Sequence, residues 1–215
     1  MDEKAVVEQV ADTRAYSRAN PSARYRELVG LYQRMHVDGG SGIPAVDMFA
    51  GKSLAPHLAK IKSAVRQTGA TSLLDYGCGK GLLYRSRDIQ LPGGERIASV
   101  RDYLGVDTIA CYDPAVQEFM IMPEGQFDGV ISTDVLEHCP EDDLPWIVDE
   151  MFSKARKFVY ANVAAFAALK TLPNGENAHC TVRPANWWGE LVAPIAARYP
   201  HVLYQFAVSR AHQGW

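Results

Sequence analysis

The chain has 215 residues, 47% hydrophobic and 22% charged, enough apolar mass for a packed core and too much for a disordered polyelectrolyte. Lys and Arg total 22 against 25 Asp and Glu, a net charge of -3, which argues against a general electrostatic grip on nucleic acid and leaves only a local basic patch open. Four cysteines, at 78, 111, 139 and 180, form no C-x-x-C pair, so neither a zinc ribbon nor a disulfide framework is indicated.

The Met1-Asp2-Glu3-Lys4 start is charged and has no apolar signal core, and no run of about 18 apolar residues is present. A cytoplasmic protein without membrane attachment is the expectation. Residues 22–35 place Tyr25, Leu28, Val29, Tyr32 and Met35 on one helical stripe. The glycine-rich stretch from Val37 to Pro44 reads as a loop. A second helix carries Leu54, Leu58, Ile61 and Val65 on one face and stops at Gly69. Residues 1–53 thus form an N-terminal helical segment, either packed on the rest or serving as a lid.

From Thr71 strands begin to alternate with helices. Ser72–Tyr76 is a first strand, Ile109–Tyr112 a second stopped by Asp113-Pro114, Phe127–Thr133 a third, and Lys157–Val163 a fourth. The helix before the fourth has Pro145 in its first turn, acids 141–143 at its start, and Lys154, Arg156 and Lys157 at its end. Residues 185–198 read as a helix and His201–Val208 as a last strand. The pattern predicts an α/β fold, Rossmann-like and doubly wound around a mainly parallel sheet.

Ligands of such sheets sit beyond the carboxyl ends of the strands, at the switch point. Gly77-Cys78-Gly79-Lys80-Gly81 falls there, directly after a strand, and a branched side chain at Gly79 is expected to block the ligand while sparing the fold. A dinucleotide fingerprint fails because Leu82 stands at its third glycine, and Ala50-Gly51-Lys52-Ser53 fails as a P-loop because Val46 stands at its first.

The segment Leu73-Leu74-Asp75-Tyr76-Gly77-Cys78-Gly79-Lys80-Gly81 resembles the first motif of class I S-adenosylmethionine-dependent methyltransferases. Cys111-Tyr112-Asp113-Pro114 is similar to the acidic end of that family's second strand. The run from Phe127 through Thr133-Asp134 to Glu137-His138 resembles its fourth-strand segment, in the form found among small-molecule methyltransferases. The likeness spans about residues 55–210, within a domain of residues 54–215. It implies S-adenosyl-L-methionine as cofactor, bound by Asp75, Tyr76, Gly77, Cys78, Gly79, Asp113, Pro114, Thr133 and Asp134. Asp75 would hold its amino-acid end and Asp113 its ribose hydroxyls. The residues themselves leave open that Asp113 only forms a turn before Pro114, and Asp107 is the reserve if the second strand is Tyr103–Val106.

Two departures from the family stand out. A Leu91-Pro92-Gly93-Gly94 turn marks an insertion among the 31 residues between Gly81 and Asp113, and only 13 residues separate Asp113 from Phe127. Phe119–Pro123 is expected as a shortened edge strand, with Met120–Met122 packing on the adenine in place of the usual acid.

In-line methyl displacement needs a positioned acceptor and a base only where a proton must leave. His138 and His179 are the candidate catalytic residues: His138, nearer the cofactor, has the ordinary near-neutral pKa suited to a base, and His179 is expected to contact the acceptor. Asn177, Thr181, Arg183 and Trp187, in the polar stretch around His179, are the candidate acceptor contacts; Arg183 suggests an anionic group. The bland alternatives are capping for His138, a surface arginine for Arg183, and burial for Trp187. The doublets His138-Cys139 and His179-Cys180 could converge on a metal, but buried cysteine is the simpler reading and no metal is expected. A D/N-P-P-Y/F segment and a Pro-Cys nucleophile are both absent, so a small molecule or carrier-linked sugar is a better acceptor than nucleic acid. The alternatives are a binding protein without turnover and, less favoured, an NAD-dependent oxidoreductase.

Overall fold

The computed structural model describes residues 16–211; the charged Met1–Lys4 start lies outside them. Helix α1 (Ala23–Asp38) leads through 3-10 turns at Ala45–Asp47 and Lys52–His57 into α2 (Leu58–Thr68). The first strand, β1 (Ser72–Tyr76), is followed by a short α3 (Leu82–Arg85), the hairpin β2 (Ile89–Gln90) and β3 (Arg96–Ile97), and α4 (Val100–Leu104). Then come β4 (Thr108–Tyr112), β5 (Phe127–Thr133), α5 (Leu144–Lys154), β6 (Ala155–Ala164), α6 (Ala185–Ala196) and β7 (Leu203–Ser209).

Local chemistry accounts for several of these boundaries. Ser22 caps α1 by accepting the Tyr25 N–H at 2.9 Å. Leu58, Ile61 and Val65 are the buried stripe of α2, which ends on Gly69 in the left-handed region. Pro145 occupies the first turn of α5, where a missing N–H costs nothing. The last of the acids before α5 has a further role. Asp143 is buried and accepts the Ser22 N–H at 3.0 Å and the Trp146 indole N–H at 2.8 Å, tying the start of α1 to α5. Of the expected cations only Lys154 closes α5; Arg156 and Lys157 belong to β6.

The main sheet is parallel throughout, in the order β4-β1-β5-β6-β7. Neighbouring residues of a strand face opposite sides, and the two cores follow from that. Leu74, Val130 and Val159 pack with Ile147, Met151 and Phe152 of α5 and Trp188 and Val192 of α6. Leu73, Ile131 and Phe158 pack on the other face with Leu58, Ile61 and Val65 of α2 and Val100 and Leu104 of α4. The sheet is therefore wound on both faces, in Rossmann-like fashion. From β1 the chain moves outward to β4 and then returns past β1 to β5, so the switch point lies between β1 and β5.

One expectation changes, and the structure decides two other readings. Phe119–Pro123 is not a strand; Met120 and Ile121 are exposed, because the sheet ends at β4 and no neighbour pairs them. Asp107 lies before β4, its N–H on the Thr71 carbonyl at 2.8 Å, and Tyr103 is in α4, so Asp113 is the acid at the strand's carboxyl end. The Leu91–Gly94 turn closes the β2–β3 hairpin. Among the described residues no helix is long and apolar enough to cross a membrane.

Candidate functional site

A cavity of about 730 Å³ opens at the carboxyl ends of β1, β4 and β5, within the size range of small-molecule sites. All nine residues expected around the cofactor line it: Asp75 through Gly79, then Asp113 and Pro114, then Thr133 and Asp134. The opposite wall comes from α1 and residues 39–57, including Tyr32, Phe49 and His57. A third apolar cluster, Leu28, Leu31, Met35 and Met48 with Leu172 and Ala178, holds that wall in place.

The loop from Gly77 to Gly81 is fully engaged by its own chain. Gly77 and Cys78 donate their N–H groups to the Tyr112 carbonyl, Gly79 to Asp113 Oδ2 at 2.9 Å, Lys80 to the Phe49 carbonyl and Gly81 to that of Cys78. No loop N–H is left to cradle a phosphate, and α3 is a single turn. Gly79 has φ +56, and a Cβ on it would overlap the Phe49 carbonyl oxygen. The expectation of a clean block at Gly79 is thereby corrected: a side chain there strikes the N-terminal wall before any ligand.

Three carboxylates end the strands around this loop. Asp75 is buried, and its Oδ2 accepts the Tyr84 hydroxyl at 2.6 Å. Burial pushes its pKa up to about 7; the Tyr84 bond opposes this and nearby Asp113 adds to it. Asp113 accepts the Gly79 and Ala115 N–H groups, one on each oxygen and both at 2.9 Å. Burial raises its pKa against those two bonds. It shapes the turn, and each oxygen keeps a further lone pair. Asp134 is held at φ +61, unusual for an aspartate, and it lines the cavity. Burial would raise its pKa, but His138 and Glu137 beside it bring the net shift below the ordinary value. The Tyr76 hydroxyl instead donates to Glu150 at 2.8 Å, within a cluster containing Arg18 and Tyr112. The Cys78 thiol is free, and a hydrogen bond with the Cys111 thiol together with burial raises its pKa and keeps it neutral.

His138 and His179 meet at the far end of the cavity, their ring centroids 4.8 Å apart. His138 reaches it on the 3-10 turn Leu136–His138. Its Nδ1 lies 2.9 Å from the Ala178 carbonyl and 2.8 Å from the Tyr32 hydroxyl, while that hydroxyl donates to the same carbonyl at 2.6 Å. His179 Nδ1 lies 2.6 Å from the Phe166 carbonyl. Burial lowers the His138 pKa to about 4, against the pull of Asp134. The expected near-neutral base is corrected for His138: at pH 7 it is a neutral, weak base.

The four expected acceptor contacts do not line the cavity. The Asn177 side chain clips its own loop, accepting the Ala168 and His179 N–H groups and donating to the Ala168 carbonyl. Thr181 is buried and donates to the Cys139 carbonyl at 2.7 Å. Arg183 pairs with Glu141 at 2.6 Å on the surface, and Trp187 packs edge-on against Trp188. Residues not foreseen take their place. Tyr32 arises from a helix stripe that reads as core, and His57, whose Nδ1 lies 2.7 Å from the Tyr160 hydroxyl, had no motif around it.

Compared with protein-family models, with curated proteins and with solved structures, the chain finds no match.

Proposed function

We propose that the protein is an S-adenosylmethionine-dependent methyltransferase acting on a small molecule, with the cofactor at the glycine-loop end of the cavity and the acceptor toward His138 and His179. The observation that carries this reading is the pairing of a glycine loop whose N–H groups are all spent with three carboxylates, Asp75, Asp113 and Asp134, on one cavity. Such a site disfavours a pyrophosphate, and with it NAD, and suits a cationic ligand rich in hydroxyls. When bound, the cofactor supplies a methyl group on a positively charged sulfur. Asp75 would face its ammonium, Asp113 would accept from its ribose hydroxyls, and Pro114 and Ala115 would border its base without an acidic partner.

The neutral state of His138 favours an acceptor that needs no strong base. It equally supports a second reading, binding of the cofactor or its demethylated product without turnover. Thermal unfolding with S-adenosylmethionine, S-adenosylhomocysteine and NAD tests the site. Stabilisation by the first two and not by NAD is expected; stabilisation by NAD alone would overturn the reading. Methyl transfer to any of a panel of hydroxyl, amine and thiol acceptors then separates turnover from binding.

A further inference from the structure

Asp134, His138 and His179 come from separate segments, the turn after β5 and the loop after β6. One potential ligand atom from each lies within 4.8 Å of the other two. Both imidazoles are oriented through Nδ1 by backbone carbonyls, Ala178 for His138 and Phe166 for His179. A carbonyl only accepts, so Nδ1 carries the proton in each ring and the lone pair resides on Nε2. The Tyr32 hydroxyl agrees with this tautomer, since its own hydrogen goes to the Ala178 carbonyl. An outer hydrogen bond of this kind is what orients metal-binding histidines and raises the basicity of the ligating nitrogen. Asp134 completes the set from a left-handed backbone position, with its carboxylate on the same cavity.

We infer that Asp134, His138 and His179 bind one first-row divalent transition-metal ion, with the remaining coordination positions open to the cavity. Two imidazole nitrogens and one carboxylate oxygen suit zinc, iron(II) or manganese better than calcium or magnesium, which prefer all-oxygen shells. Ligand atoms around a tetrahedral ion at about 2.1 Å lie about 3.4 Å apart. Rotation of the Asp134 side chain, exchanging its contact with Glu137 for the ion, would supply the contraction. The cysteines of the two His-Cys doublets are not part of the cluster. The inference does not rest on the methyl-transfer reading.

The test uses the full-length protein, stripped with a chelator and titrated with zinc by calorimetry and with cobalt by visible absorption. One equivalent of zinc, bound at micromolar concentration or tighter, is expected, with a cobalt spectrum of low coordination number. His138→Ala, His179→Ala and Asp134→Asn should each weaken zinc binding at least tenfold, whereas the surface variant His201→Ala should not. Circular dichroism checks each variant's fold, and Asp134→Asn, at an exposed position, keeps the test alive where a histidine variant unfolds. No zinc binding to the wild type below millimolar concentration overturns the inference. So does binding that survives Asp134→Asn and both histidine variants but is lost in Cys139→Ser or Cys180→Ser. S-adenosylmethionine binding measured on the wild type and the two histidine variants keeps the two readings apart, since either ligand can bind while the other fails; Asp134 borders both sites, so its variant is read for zinc alone.

Discussion

The Tyr84 hydroxyl donates to Asp75 Oδ2 at 2.6 Å, at the place where β1 ends and the cavity begins. That bond favours the ionised carboxylate, yet burial outweighs it and the pKa stands at about 7 rather than 3.8. Between those values the folded state holds a proton that the unfolded chain has lost. This contribution to stability is therefore full below pH 3.8, falls as pH rises, and levels off above about 7. A shift of that size corresponds to up to about 4 kcal/mol. Asp75→Asn keeps the shape and removes the titration. Denaturant unfolding from pH 5 to 8 should show the wild type losing stability relative to this variant as pH rises. Parallel curves would contradict the assignment.

Asp113 and Asp107 stand at opposite ends of β4, and only Asp113 reaches the cavity. Asp113→Ala removes the acceptor of the Gly79 and Ala115 N–H groups. A cost of about 1.5–3 kcal/mol in stability is expected from hydrogen bonds to a charged group. On the proposed function, S-adenosylmethionine affinity should fall by about ten- to a hundredfold in this variant. Asp107→Ala should leave affinity unchanged. Calorimetric titration of both variants checks the pair, and equal losses would remove Asp113 from the site.

Gly79 serves the fold before it serves any ligand. Its φ of +56 disfavours a side chain, and a Cβ there would overlap the Phe49 carbonyl that also accepts the Lys80 N–H. Gly79→Ala should cost more than about 1 kcal/mol and loosen the segment around Phe49. Equilibrium unfolding measures the first effect, and proteolytic cleavage rates between residues 39 and 57 measure the second. Wild-type values for both would show that the loop tolerates a side chain.

The sheet was legible in the sequence because three of its strands are short apolar runs ended by glycine or acid: Ser72–Tyr76 before Gly77, Thr108–Tyr112 before Asp113 and Phe127–Thr133 before Asp134. The strand ends that line the cavity followed directly, since a parallel sheet puts them on one rim. The convergence of His138 and His179 was only half legible. Their loops leave adjacent strands, β5 and β6, but the contact depends on the Thr181 N–H meeting the Glu137 carbonyl, which no local pattern encodes. Asn177, Thr181 and Arg183 misled because polar side chains in a loop serve its own backbone as readily as a ligand. The sequence left the role of α1 open between packing and a lid for the opposite reason. Tyr32 has the spacing of a core residue, and its hydroxyl alone distinguishes a cavity wall from a core.

That hydroxyl supplies the last prediction. Tyr32 joins α1 to the far end of the cavity by donating to the Ala178 carbonyl at 2.6 Å, and its ring packs edge-on against His138 and Phe49. The apolar cluster beneath α1 is separate from the two cores of the sheet, so α1 is expected to open as its own unit. Tyr32→Phe keeps the ring and removes the hydroxyl's bond to the Ala178 carbonyl and its contact with His138 Nδ1, while His138 still pairs with that carbonyl. A net loss of about 0.5–1.5 kcal/mol is expected, which is about a two- to twelvefold faster exchange of the amides that open with α1. Amides of α5, buried in the sheet core, should exchange at their wild-type rate under native conditions. Ser22 bonded to Asp143 and Tyr25 edge-on to Trp146 fasten the start of α1, so the acceleration should be strongest toward Met35. Hydrogen exchange read by mass spectrometry resolves the two helices. Equal acceleration in α1 and α5 would mean that α1 opens only with the whole domain, and the lid reading of the N-terminal segment would fall with it.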